Sequence, residues 1–413
     1  MIDRMAQIPL ALSPTQRTPA VALLFDFTAG AASPGTAPLR GLVLAPKASA
    51  GTITNNVLNQ SVAGESAGAT LLGAGSPGHL ALKAIFKELP LAQIDLIAPP
   101  PSAGATASST VTFDDSNGSS SDVTVAQTVT VTIAGRDISI QWLPGEDRVD
   151  AANKLVAAIG AGSYDLPVTA GNTSGTLPAV TITSKVPGTI GNDIQLYVSM
   201  SGGTGGSVVA GAGALAGGSG EVDIATALAT VTNREYDYVL LVTSNTDAVK
   251  SSSSNPLALQ THIQDHSSGA SALLQQGIVG CTGAVSAFKA ATAVINYGQM
   301  QGVFCRSGQS LPSEWAGAEM GARLRERANF AVKNRIHMLY LATLYGPRDH
   351  ITSDLSAVEI EDALQHGITP ITFSATLKPW PERPITMYFQ DVNANPDDRI
   401  LDVRPVLDAP VSK

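Results

Sequence analysis

Charge is scarce in this chain: Asp, Glu, Lys and Arg make up 14% of its 413 residues, and aromatic residues only 5%. Soluble proteins average about 25% charged residues, so much of the surface must be small and polar, or buried against other chains. Basic charge is the scarcer sign, with Lys+Arg 25 against Asp+Glu 34 and a net charge of −9. That balance argues against a nucleic-acid partner, whose phosphates need clustered Lys and Arg. Cysteine is nearly absent. Cys281 and Cys305 can form neither a disulfide framework nor a CxxC metal site, and their apolar neighbours fit small buried hydrophobes. No run approaches the roughly 18 apolar residues of a membrane span, so direct membrane insertion is not expected. The opening Met1-Ile-Asp-Arg-Met-Ala-Gln7 lacks the charged-then-apolar pattern of a signal peptide. A reducing cytoplasm is the expected place of synthesis. With no Walker A lysine motif, HExxH pair or EF-hand loop, neither a cofactor nor a metal is expected.

What the chain does have is alternation of element types. Its length implies about two or three domains. Residues 1–19, with three prolines and little periodicity, read as an N-terminal arm. Val21–Phe27 and Gly41–Ala45 read as strands, His79–Leu89 has helical spacing, and Ile94–Ile97 reads as a further strand. Strand, helix and strand in succession predict an α/β layer with a parallel sheet over 20–98. The pattern breaks at Pro99-Pro-Pro-Ser-Ala-Gly104, and Ser/Thr/Gly/Asp-rich sequence follows to about residue 122. A second break, 201–220, holds nine glycines. Between them, Val129–Ile133 and Ile138–Leu143 alternate as a hairpin. Asp147–Ile159 reads as an amphipathic helix, and Leu166–Thr169, Val180–Thr183 and Ile194–Val198 as strands. Residues 99–222 are thus expected to be an inserted, β-rich α+β outer domain with flexible flanks.

The α/β alternation returns over 223–375. Helices are predicted at 222–232, 256–273, 284–293, about 314–329 (Ser313 as cap, Pro312 outside) and 356–366. Strands are predicted at 238–242, 277–280, 301–305, 337–343 and 370–375. Residues 376–413 form a C-terminal segment with strand-like 385–390 and 400–407. The fold class read from the chain is an α/β core, a mixed sheet flanked by helices, split by the insertion and ending in extended arms.

Some segments invite an enzymatic reading. Gly64-Glu-Ser-Ala-Gly68 matches the GxSxG elbow of serine hydrolases, which needs a strand running into Ser66, a following helix and an upstream oxyanion loop. Asn55–Ser61 is a poor buried strand and no HGGG-type loop precedes it, so His337, His350 and His366 supply a base only by assertion. Val209–Ala216 matches a loose GxGxxA fingerprint but runs into Gly217-Gly-Ser-Gly220, which leaves no helix N-terminus for a pyrophosphate. It reads as linker. Asp114-Asp115 and Asp397-Asp398 read as solvated turn residues. No catalytic residue is assigned.

Several segments acquire meaning in their order. Ser66-Ala-Gly-Ala-Thr-Leu-Leu-Gly-Ala-Gly-Ser76, His79–Leu89 and Ile94-Asp-Leu-Ile-Ala-Pro-Pro100 are followed much later by Gly280-Cys-Thr-Gly283, Pro312–Gly321 and Ile360–Pro370. Together they resemble the contractile tail sheath proteins of Mu-type phages. Leu71–Ser76 looks like the family's Leu-Phe-Gly-x-Gly-Ser, and Val131–Gly135, Val156–Ile159, Leu166–Thr169, Thr181–Ser184 and Gly188–Asp193 look like its inserted module.

The resemblance implies a virion protein assembled in the host cytoplasm. Its copies would stack as hexameric rings around a tail tube protein, between baseplate and tail terminator proteins, and contract to drive the tube through the host envelope for genome ejection. Terminal arms would add strands to neighbouring copies; the candidates here are Ile8 and Leu10, and Ile400, Leu401, Val403, Val406 and Leu407. Arg323, Arg327, Lys333 and Arg335 form a basic cluster that is either a solvated helix face or a patch toward the tube. The chain departs from the family in a shortened region between the core and the last strand. Competing readings are a non-contractile tail or injection-machine component, a secreted Ser/Thr-rich adhesin, and a GxSxG hydrolase.

Overall fold

The computed structural model describes residues 39–115, 123–162, 165–173, 178–203, 205–211, 213–267, 275–328, 341, 344–346, 355–374 and 378–390. By contacts the chain divides into Met1–Pro38 and Leu39–Lys413, and all the described residues belong to the second unit. In chain order they begin with β1 (Arg40–Leu44), α1 (Glu65–Leu72), α2 (Pro77–Glu88) and β2 (Gln93–Ile97). Next come β3 (Ser108–Asp115), β4 (Gln127–Ile133), β5 (Arg136–Trp142), α3 (Arg148–Gly160), β6 (Val168–Thr173), β7 (Ala179–Ser184), a 3-10 turn (Thr189–Asp193), β8 (Leu196–Ser201) and β9 (Gly206–Ala210). The chain then forms α4 (Ala225–Ala229), β10 (Tyr238–Leu241), α5 (Asn245–Ala248), α6 (Asn255–Ser267), β11 (Gln276–Cys281), α7 (Val285–Ile295) and β12 (Met300–Phe304). It closes with α8 (Pro312–Ala328), α9 (Ala357–Gln365), β13 (Ile368–Phe373) and β14 (Pro379–Pro381).

The body is a 7-stranded sheet in the order β14-β13-β12-β11-β10-β1-β2, parallel throughout except for the β13–β14 pair. Its central strands are near-continuous apolar runs because both faces are covered. On one face Val43, Leu240, Ile278 and Val303 meet α2 and α8; on the other Leu42, Val239, Val279 and Phe304 meet α6 and α7. β14, Pro-Trp-Pro, forms the edge, where proline's missing N–H discourages further pairing. α9 begins with a full capping box between Ser356 and Glu359.

The chain leaves this sheet after β2 and rejoins it at β10. The residues between build a 4-stranded sheet, β6-β7-β3-β9, and a 3-stranded sheet, β5-β4-β8, both antiparallel. Here burial alternates, as in β4 and β7, because one face packs on a core and the other meets solvent. That core holds Phe113, Val131, Trp142, Leu155 and Ile182, and it also takes in Leu80 of α2 and Leu311 just before α8.

Several expectations need correction. β3 lies where low-complexity sequence was expected: Val111 and Phe113 point inward while Ser and Thr alternate outward, so bulk composition concealed a period-two pattern. Asp114 and Asp115 end that strand, and Asp114 pairs with Arg148 at 3.4 Å instead of capping a turn. β9 lies inside the glycine-rich 201–220 stretch. Residues 385–390 contribute isolated pairing residues and no strand. Pro312 is the first residue of α8, and the Ser313 hydroxyl donates to the Pro77 carbonyl (3.3 Å) instead of capping; the Glu314 carboxylate takes the Leu311 N–H. The strands expected at 21–27 and 400–407 lie outside the described residues, as does 337–343 except for Leu341, which is in no strand.

Candidate functional site

Three of the segments that carry the resemblance touch one another: α2 and Gly280 both pack on α8. α2 and α8 share the most intimate helix contact of the body because α8 presents glycine there: a Cβ on Gly317 would stand 2.6 Å from the Ala81 carbonyl oxygen, and one on Gly321 2.9 Å from that of Ile85. The first turn of α8 lies over β11, where a Cβ on Gly280 would collide with the Pro312 carbonyl. Gly75, at φ +79°, lets the turn before α2 pass the Leu166 carbonyl of the inserted part. Motifs that look like chemistry in one dimension are, in three, places where backbones nearly touch.

The same region ties the inserted sheets to the body. At the β4–β5 turn, the Arg136 guanidinium pairs with Glu314 of α8 at 2.6 Å and lies 5.8 Å from the Tyr345 ring centre. Burial pulls Arg136 down, but Glu314 outweighs it and holds the guanidinium above its usual range. Beside it, Lys83 of α2 bridges Asp165 (2.5 Å) and Glu65 (2.8 Å), and Lys185 donates to the Ala74 carbonyl at 2.8 Å. Burial lowers Lys83, yet those carboxylates raise it overall; burial raises Asp165, yet Lys83 lowers it overall.

The flanks of the insertion are also bonded. Ala105 donates its N–H to the Ser219 hydroxyl, and the Asn192 side chain brackets the backbone of Gly218 in both directions. Flanks expected to be flexible by composition are therefore stitched to each other. Small residues serve close approach here as readily as freedom.

The strand order reverses between β1 and β10, and open α/β sheets bind ligands beyond the carboxyl ends of their strands at such a point. Here that crevice is filled by the chain itself. Pro187, Gly188, Thr189 and Ile190 from one crossing, and Gly220, Glu221 and Val222 from the other, lie against Pro46, Val242, Thr243 and Ser244. The Thr189 hydroxyl donates to Glu221, Ser244 donates to both Glu221 oxygens (3.2 and 3.1 Å), and Asn245 N–H donates to Asp193 at 2.8 Å.

Glu65, His79 and Asp165 bring donor atoms within 4.8 Å of one another, the one such cluster among the described residues. The details fit a metal poorly. His79 Nδ1 accepts the Gly75 N–H at 2.9 Å, so its proton is on Nε2, the nitrogen a metal would need bare. The Lys83 ammonium already holds a cation's place between the two carboxylates. Burial lowers His79, keeping the imidazole neutral.

Ser66 is exposed in the first turn of α1, with no strand leading into it, so the hydrolase elbow is missing. His366 Nδ1 contacts the Asp362 carbonyl at 2.6 Å; His337 and His350 lie outside the described residues. After Gly211 and Gly213 the chain makes isolated bridges at Ala214 and Ala216 instead of a helix, so the GxGxxA match has no phosphate site.

Of the expected basic cluster, Arg323 is the one member whose side chain is among the described residues. Arg323 is fully buried: Nε contacts Glu319 at 3.1 Å, Nη1 donates to Gln276 at 2.8 Å, and the guanidinium lies over the Tyr238 ring. It faces the sheet and offers nothing to a tube. Helical periodicity puts residue 323 on the same inward side as Met320 and Gly41's neighbour Leu324, a placement that charge alone conceals. Arg325 pairs with the buried Glu88. The Arg327 side chain, Lys333 and Arg335 lie outside the described residues, as do the arm residues Ile8, Leu10, Ile400, Leu401, Val403, Val406 and Leu407. Cys281 and Cys305 are buried and in no disulfide, and burial pushes the Cys281 thiol up to about 12.

No protein-family model matches the chain, and no curated protein matches it. Among solved structures it is similar to a sheath tail protein from Listeria innocua (13% identity, TM-score 0.39, covering 85% of this chain and 69% of that one). It is similar to a sheath tail protein from Desulfitobacterium hafniense at 13% identity and TM-score 0.40, over 90% of this chain and 76% of that one. A weaker likeness, TM-score 0.19 over 30% of this chain and 74% of the other, is to domains of the Escherichia coli flagellar cap protein FliD. TM-scores this low assign no function by themselves.

Proposed function

We propose that this chain is the structural subunit of a contractile phage tail sheath. The observation that carries the reading is the close backbone packing at the glycines of the resembling segments. Gly280 and α2 pack tightly on Pro312–Gly321, and Gly75 of Leu71–Ser76 passes the Leu166 carbonyl, so the resemblance concerns how the subunit is built and not how a substrate is held. A switch-point crevice packed with the chain's own Thr189 and Glu221 fits a subunit whose work is mechanical. In this reading copies polymerise as stacked hexameric rings around a tail tube protein, between baseplate and terminator. Strands from residues 1–19 and 399–413 complete sheets of neighbours by main-chain hydrogen bonding. Head-to-tail contacts that do not close give a helical tube, and contraction is movement of whole subunits between two packings.

Ties such as Arg136–Glu314 and Lys83–Asp165 suit that role, because a subunit that moves as a body must pass load between its parts. Negative-stain imaging of the purified chain, alone and with a tube protein, tests the proposal. Long hollow cylinders are expected, and deletion of 1–19 or 399–413 should leave folded monomers. Compact monomers at every concentration, with or without tube, would overturn it in favour of a non-contractile component.

A further inference from the structure

We propose that Asp193 and Glu221 form a proton-operated latch that holds the inserted sheets against the carboxyl end of the parallel sheet, closing firmly when Asp193 is neutral and loosening when it is ionised. The inference stands independently of any assembly, since every group involved belongs to one copy.

The geometry comes first. Asp193 ends the 3-10 turn of the outgoing crossing, whose Thr189 lines the switch-point crevice, and Glu221 lines the same crevice from the returning one. Asp193 is 7% exposed and accepts the Asn245 N–H at 2.8 Å. Glu221 is held by Thr189 and Ser244. The titratable and charged groups around Asp193 are Glu221 on the returning chain, Asp247 and Lys250 on and just after α5, and the Cys281 thiol at the end of β11. Lys250 is spoken for: it stands 3.6 Å from Glu221 and 3.6 Å from Asp247. None of the ion pairs among the described residues reaches Asp193.

A buried carboxylate that faces a second carboxylate and has no cation favours its neutral form. Burial is the larger cause and the Glu221 charge adds to it; together they push Asp193 up to about 7, from 3.8 when released. The neutral acid keeps its carbonyl oxygen for Asn245 while the repulsion from Glu221 disappears.

The sign follows from linkage. A raised carboxyl favours the closed state fully below about pH 4, and that advantage is lost as pH rises through about 7. Between pH 6 and pH 8 the opening equilibrium should grow about tenfold, the ratio expected for a group titrating near 3.8 when released and about 7 when held.

Hydrogen exchange by mass spectrometry on the full chain reads this directly, following peptides over 187–193, 218–222 and 244–249 at pH 6 and pH 8 after correction for intrinsic rates. Wild type should show the tenfold loss of protection in these peptides, with β4–β5 peptides unchanged. Asp193→Asn, which keeps an acceptor for Asn245, should abolish the pH dependence. If that variant folds poorly, Glu221→Gln provides the second test by reducing the dependence, since the Glu221 charge adds to the effect of burial. Equal protection at both pH values in wild type, or an undiminished dependence in either variant, would overturn the latch.

Discussion

Replacing Arg323 by Met tests most sharply whether the basic helix faces outward or inward. The guanidinium is 0% exposed, and so is the carboxylate of Glu319, four residues earlier on α8. Glu319 Oε1 also accepts from the Gln301 side chain at 3.0 Å, which in turn donates to Thr369 at 2.9 Å, so the pair sits within a network crossing β11, β12 and β13. Removing the cation alone leaves a buried carboxylate uncompensated, and loss of one partner of such a pair costs about 3–5 kcal/mol. Removing both charges is different. Arg323→Met combined with Glu319→Leu eliminates the desolvated ions together and should recover most of that loss. The assay is urea unfolding followed by tryptophan fluorescence, with the two single variants and the double closing a thermodynamic cycle. Strong coupling between positions 319 and 323 is expected. A single-variant loss under about 1 kcal/mol, the range of exposed ion pairs, would refute the buried placement and return Arg323 to the surface.

Two further predictions follow from packing and titration. Gly280→Val should destabilise the chain by about 1–3 kcal/mol or more through overpacking, since any Cβ there meets the Pro312 carbonyl; calorimetry should show a lower Tm, and an unchanged Tm would contradict the close approach of α8 to β11. His262, held down to about 4 by burial first and by His266 second, should make stability fall as pH drops from 6.5 through about 4, because the unfolded chain binds the proton more readily. His262→Gln should flatten urea midpoints across that window, and an unaltered acid slope would assign the effect elsewhere.

Much of the architecture was legible because burial on both faces leaves a plain mark: Leu42–Leu44, Tyr238–Leu241 and Gln276–Cys281 lie in or near apolar runs, and each is a strand of the parallel sheet. The β4–β5 hairpin and α3, capped by Asp147, were equally readable from alternation and helical spacing. β3 and β9 were not, because serine, threonine and glycine signal loop by composition while Val111, Phe113 and Val208 carry the inward pattern. At the candidate site Arg323 was noticed and its surroundings were not. Arg323 read as part of a solvated helix face or a patch toward the tube and is buried, because local sequence reports residue type and spacing but not what lies opposite.

By itself, then, the amino-acid sequence determined most of the element types, the change of pattern between β2 and β10, and the low charge. Local periodicity and composition suffice for those, since each depends on neighbours along the chain. Only the tertiary structure decided that the glycines of α8 serve contact with α2, that Arg323 is internal, and that Thr189 and Glu221 occupy the switch-point crevice. Each of these joins groups far apart in sequence, such as Arg136 with Glu314, and such meetings are created by packing and desolvation after the chain has folded.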